Sequence, residues 1–244
     1  MSPTRTLATA GRVLNQVRRD PRTIALLLVV PSLLIGLMAW IFVDTTTFEQ
    51  VGPAMIALFP FVVMFLVTSI TTLRERRSGT LERLLTMPMG KADYILGYAL
   101  AFGLLAIVQS AIAAGLSLWL YGLEIVESAW LLLVVAIVDA LLGCCLGLLA
   151  SAFARTEFQV MQFMPVFIFP QILLGGILVP RDQLPEVLRA ISDWMPLSYA
   201  VDAINAVSTG AEDAGYIWLR ILIIAAFTVG SIVLGSLTLR RRTA

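Results

Sequence analysis

Six apolar runs dominate this chain, at 24–43, 55–73, 95–120, 130–153, 160–179 and 217–239. Each, as a helix, is long enough to cross the roughly 30 Å of hydrocarbon in a bilayer. Apart from a closed barrel, a helix is the only form in which backbone facing lipid satisfies its own hydrogen bonds. The pattern therefore predicts an all-α integral membrane protein with six transmembrane helices. A 59% hydrophobic composition agrees with that reading. The connections are short except the fifth, so 1–244 reads as a single transmembrane domain.

Charge is scarce, and its placement gives orientation. Only 33 of 244 residues are charged, and eight of these fall between Arg74 and Asp93. Fourteen of the 17 lysines and arginines lie before the first span, in the second and fourth loops, or after the last span. Arg181 and Arg189 lie on the other side, and Arg220 is placed to snorkel toward it. The positive-inside rule then puts both termini in the cytoplasm. Trp40, Trp119, Trp130, Trp194 and Trp218 fall at or near the opposite interface. The first 23 residues are too polar to span, and the run after them is too long for a signal-peptide core, so it reads as a retained span. Ahead of it Leu7, Ala10, Val13, Leu14 and Val17 share one face with arginines opposite, which predicts an amphipathic interfacial helix on the inner leaflet.

Two loops carry helical signals of their own. In the second, Gly79 breaks the preceding span, Leu81, Leu84 and Leu85 recur at helical spacing, and Pro88 ends the pattern. This predicts a short cytoplasmic helix. In the fifth, Leu184, Val187, Leu188 and Ile191 keep helical spacing between Pro185 and Pro196. Ser198 could cap a second short helix through Val207. Glu75 and Glu82 are read as partners of neighbouring arginines.

The residues missing from the chain exclude much chemistry. It has no histidine, which removes Ser–His catalysis and the zinc-protease helix motif. Asp139 alone qualifies as a mid-membrane aspartate, where an intramembrane aspartyl protease needs two. Gly90-Lys91 is followed by Ala92 and lacks the upstream glycine of a phosphate loop. No basic surface is broad enough to track nucleic acid. Cys144 and Cys145 are adjacent in the fourth span and read as small apolar fillers. No metal site is expected.

Polar groups inside the spans are the candidate pathway residues: Asp139 in the fourth, Gln109 and Ser110 in the third, Gln171 in the fifth. A midplane charge is costly and commonly functional. The alternative is that these groups satisfy one another as interhelical hydrogen bonds. Asp139, Gly143, Gly147 and Ser151 share a face, and Gly143 with Gly147 forms a G-x-x-x-G pair that permits close helix approach.

Three ordered motifs carry a family resemblance. They are Arg19-Asp20-Pro21-Arg22 entering a span that contains Pro31; the run from Arg74 through Arg83 to Pro88; and Gly175-Gly176-Ile177-Leu178-Val179-Pro180 with Leu184-Pro185 and the stretch from Trp194 to Ala203. Together the chain resembles the ABC-2 type permeases, the membrane subunits of bacterial ATP-binding cassette exporters, in their drug-resistance form. The resemblance implies that the second-loop helix is a coupling helix, with Gly79, Thr80, Glu82, Arg83 and Leu84 touching the ATPase. It implies a separate ATP-binding subunit in two copies, with ATP and magnesium there and no cofactor on this chain. It further implies a second permease, identical or different, and amphiphilic cargo such as a drug, lipid or secreted metabolite. The setting would be the bacterial plasma membrane, with external or re-entrant helices between spans five and six covering the exit. An ion-coupled carrier would require inverted repeats and several membrane charges, and a non-catalytic membrane sensor is the remaining alternative.

Overall fold

Short polar residues set several helix starts. Asp20 accepts hydrogen bonds from the backbone N–H groups of Arg22 and Thr23 and from the Thr23 hydroxyl, and Pro21 takes the first helical position, where no N–H is needed. The Thr23 bonds hold the Asp20 carboxyl below its usual range. Ser128 and Thr156 cap later helices through Trp130 N and Gln159 N.

In a computed structural model, residues 2–42, 47–78 and 91–238 are described, with backbone only at 91 and 92. Their helices are α1 (Pro3–Arg18), α2 (Pro21–Ile41), α3 (Thr47–Arg77), α4 (Lys91–Trp119), α5 (Ala129–Phe153), α6 (Glu157–Leu174), a 3-10 turn (Arg181–Gln183), α7 (Glu186–Ser192), α8 (Pro196–Thr209) and α9 (Ala214–Thr238). The architecture is all-α. Six helices, namely α2, α3, α4 from Asp93 onward, α5, α6 and α9, are long and apolar enough to cross a membrane. The expected second-loop helix, with Gly79, Thr80, Glu82, Arg83 and Leu84, lies outside the described residues.

Helix α3 occupies the centre, touching α2, α4, α5, α6 and α8, with its widest contact against α5. It has 31 residues against the 19 expected from 55–73. Its polar ends, Thr47–Gln50 and Arg74–Arg77, extend the helix beyond the apolar run that marks the hydrocarbon. Pro53 and Pro60 are accommodated within it, as prolines are in membrane helices whose neighbours restore the lost bonds. Conversely, α6 stops at Leu174, short of the expected 179. Gly175 and Gly176 follow, and Gly176 has a φ of 84°, a left-handed turn that side-chain-bearing residues rarely adopt.

The chain passes back and forth between two ends. At the basic end lie α1, the close of α3, the start of α4 and the junction between α5 and α6. At the other end lie the five tryptophans, all exposed.

Three details depart from expectation. The apolar stripe of α1 is turned largely onto protein: Ala10, Val13 and Val17 are buried in one cluster with Leu27, Tyr94, Tyr98 and Phe102, while Leu7 stays exposed. Gly97 on α4 makes this docking possible, since a Cβ there would lie 2.6 Å from the Thr9 Cβ. Ser198 is not the cap of α8, which begins at Pro196 behind Met195; its hydroxyl instead meets that of Ser192 at 3.2 Å. The third concerns Arg220, which reaches toward the tryptophan end as expected but ends against Asp202 and Tyr216 instead of in open solvent.

Candidate functional site

The last turn of α3 leads directly into the undescribed segment 79–90, and three consecutive residues there grip three different helices. Arg74 forms a two-bond pair with Glu157 at the start of α6, at 2.9 and 3.0 Å. Glu75 accepts two bonds from Arg12 on α1, at 2.6 and 3.2 Å, and Arg12 also reaches the Tyr98 hydroxyl at 3.3 Å. Arg76 donates to the backbone carbonyl of Ser151 near the end of α5. Successive helical residues point about 100° apart, so one turn addresses three neighbours around α3. The expectation that Glu75 pairs with an arginine of its own loop is corrected: its partner is 63 residues away. A carboxylate as buried as Glu75 (3% exposed) needs a bidentate guanidinium to offset its desolvation.

The far side of segment 79–90 is held as well. Asp93, at the beginning of α4, accepts from the Ser2 N–H at 3.0 Å and lies 3.5 Å from the Thr6 hydroxyl. That places a carboxylate at the N-terminus of α1, where the helix dipole favours it. Helix α1 is thus fastened to both arms that flank the segment, at Glu75 before it and at Asp93 after it. A polar cleft of about 420 Å³ opens beside this node, lined by Arg12, Gln16, Arg74, Glu75 and Ser78.

Mid-span, Gly143 and Gly147 face α3 of the same chain. A Cβ at either would collide with a backbone carbonyl oxygen, that of Phe61 or of Phe65. The two pairs advance in step, so α3 and α5 run parallel, and the same offset sets Asp139 level with Ala57. Asp139 is fully buried, and neither of its oxygens has a hydrogen-bond partner among the described residues. Gln109 is likewise buried with both amide atoms unpartnered. Ser110 donates to the Ala136 carbonyl at 3.1 Å, which puts Gln109 and Asp139 within about one helical turn of each other in depth. Gln171 is engaged: its Nε2 donates to Phe167 O at 2.9 Å and its Oε1 accepts from Leu197 N at 3.1 Å. It therefore ties α6 to the start of α8. The four candidate pathway residues divide into two bonded and two unbonded.

The tryptophan end has a charge cluster that sequence reasoning missed. Arg181 reaches Asp202 at 2.5 Å, the Ser192 hydroxyl at 2.8 Å, and Asp193. Arg220 on α9 stands 3.7 Å from the same Asp202 oxygen, and both guanidiniums lie 5.4 Å from the Tyr199 ring centre. Burial pushes the Asp202 carboxyl above its ordinary range, outweighing the pull of Arg181 and Arg220. The available signal was the placement of Asp202 and Arg220 within otherwise apolar stretches. For the node at 74–76 it was three charged residues in a row at the foot of a span.

A family model described as ABC-2 type transporter matches residues 4–208, a stretch that takes in α1, the α3 node, the α3–α5 seam and nearly all of α8. The chain is also similar to a probable multidrug ABC transporter permease, YbhR, of Escherichia coli, 27% identical over 183 residues that cover 74% of this chain and 50% of that protein. A linearmycin resistance permease protein, LnrN, of Bacillus subtilis is 25% identical over 152 residues, 60% of this chain and 39% of that protein. ABC transporter G family member 20 of Dictyostelium discoideum is 23% identical over 196 residues, 80% and 27% respectively. The chain spans about half the length, or less, of these relatives. With the family model covering most of its residues, the chain belongs to the ABC-2 type transporter family.

Proposed function

We propose that this chain is the transmembrane permease subunit of an ATP-binding cassette exporter, moving amphiphilic cargo outward. ATP and magnesium bind a separate subunit present in two copies, and a second permease, identical or different, completes the membrane part. The complex sits in a bacterial plasma membrane with the basic end inside. The observation that carries this reading is the fastening around segment 79–90. A push on that segment reaches α3 directly, α1 through Glu75 and Asp93, α6 through Arg74, and α5 through Arg76. Such anchoring suits near-rigid-body rocking of a helix group. Gly79, Thr80, Glu82, Arg83 and Leu84 form the ATPase contact. Asp139, Gln109, Ser110 and Gln171 border the cargo route, with Gln171 shaping its far end through α8. The chain performs no catalysis of its own.

Co-purification with the cognate ATPase, together with cargo-stimulated ATP hydrolysis, tests this. Replacing Glu82 and Arg83 by alanine together leaves membrane insertion intact but weakens association or uncouples hydrolysis from export. Leu84→Asp has the larger effect, because it puts a charge into the apolar pattern of Leu81, Leu84 and Leu85. Unchanged assembly and export in both variants would reduce the segment to a topology anchor.

A further inference from the structure

Asp202 faces two cations that belong to different parts of the fold. Arg181 belongs to a surface segment, 181–193, whose apolar residues Val187, Leu188 and Ile191 are exposed. That segment is held down chiefly by polar bonds: Arg181 to Asp202, Ser192 Oγ to the Leu174 carbonyl at 2.7 Å, and the Tyr199 hydroxyl to the Asp193 carbonyl at 2.7 Å. Asp202 itself does not belong to the loose part, because α8 is packed into the core through Leu197, Val201, Ile204 and Val207. Arg220 belongs to α9, and its one hydrogen bond among the described residues, 2.9 Å to the Tyr216 hydroxyl, stays within α9. Its Nε is buried without a hydrogen-bond partner among the described residues, 3.7 Å from Asp202 Oδ2. A buried donor left unpaired beside an acceptor already in use is an unexplained cost in a single static state.

We propose that Asp202 is a positioning residue that exchanges cations: Arg181 occupies it when segment 181–193 is closed, and Arg220 closes the 3.7 Å gap when that segment lifts. The exchange gives the Arg220 Nε its missing partner and spares Asp202 an unpaired charge in a largely buried site. It makes a lid over this end of the bundle bistable and ties its opening to α9. Among the described residues, the charged and titratable groups around Asp202 are Arg181, Asp193, Tyr199, Arg220 and Tyr216, and of these only the two arginines can neutralise it. That the lid lies over the exit rests on the function proposed above; the exchange itself does not.

The test measures the lid directly, on the full chain in nanodiscs without ATPase or cargo. Spin labels at Val187→Cys and Leu219→Cys, both exposed positions, report the lid–α9 distance, while Cys144 and Cys145 are buried. Arg181→Gln raises the open population. Arg220→Gln lowers it on the order of tenfold, the scale of one lost bond to a charged group. A simple strut would behave in the opposite way, since removing it would loosen the lid. In Arg220→Gln, opening returns as pH falls, because a proton is then the one remaining substitute at Asp202. Arg220→Lys, which keeps the charge without the guanidinium fork, shifts the population in the same direction but less, and serves if Arg220→Gln does not accumulate. A lid loosened or unaltered by these Arg220 changes would overturn the exchange. Loss of export in the wild type, with the distance shifts intact, would instead strike the functional reading alone.

Discussion

Arg12 and Glu75, 63 residues apart in sequence, meet through two parallel guanidinium–carboxylate hydrogen bonds of 2.6 and 3.2 Å. The Glu75 side chain is buried, whereas the Arg12 side chain keeps a third of its surface open. The pair therefore fixes α1 against the foot of α3 at a point that solvent reaches from one side only.

Removing one member of this pair should cost more than removing both. Glu75→Gln or Arg12→Gln alone should destabilise the protein by about 1–3 kcal/mol, because a buried polar group loses its partner. The double change Arg12→Met with Glu75→Leu should cost less than the sum of the single changes. Thermal unfolding in detergent gives the comparison, and protease cleavage within α1 reports whether that helix has come loose. Additive losses would show that the pair contributes no coupling.

The α3–α5 seam should tolerate no side chain. Gly143→Ala and Gly147→Ala each place a methyl group against a backbone carbonyl that cannot swing aside, which should cost about 1–3 kcal/mol through displaced helices. Gly115 and Gly230 have open space where a Cβ would stand. Alanine there should be neutral, or stabilising by up to about 1 kcal/mol through helix propensity. Melting temperatures of the four variants should fall into those two groups; a single group would contradict the close approach.

Asp139 is the sharpest case. Neither of its oxygens forms a hydrogen bond among the described residues, so Asp139→Asn should leave the melting temperature unchanged or raised. If the carboxyl borders the cargo route, the same variant should lose transport of cationic cargo more than of neutral cargo, since attraction at low dielectric grows with charge. Paired measurements of melting and of uptake into inverted vesicles separate the two roles. A joint fall of stability and of all transport would make Asp139 a structural hydrogen-bonding group.

Much of the fold was legible because hydropathy reports burial in lipid, and the six spans follow from it. Helix ends were less legible. The foot of α3 continues as helix through Arg74–Arg77, where composition reads as loop, because each of Arg74, Glu75 and Arg76 finds a partner on another helix. The apolar stripe of α1 was visible, but its partner was not: an amphipathic helix looks the same whether it meets lipid or, as here, Tyr94, Tyr98 and Gly97. Gly143 and Gly147 announced a close approach without revealing that α3 supplies it. Arg181, Asp202 and Arg220 are spread over three elements, and periodicity carries no information about contacts between elements.

The three grips at the foot of α3 also fix its phase. Phe61 and Phe65 key the same helix to α5 higher up, so α3 is held in angle at two levels. A rotation of one residue, about 100°, would release Glu157, Arg12 and Ser151 together and drive side chains into the glycine seam. A shaft keyed in this way cannot take up torque by turning. A load entering at Ser78 emerges as displacement along and across the bundle, delivered to α1, α5 and α6 at the same moment. Inserting a single residue between Phe65 and Arg74 would therefore disrupt the whole assembly while changing no side chain in any of these contacts.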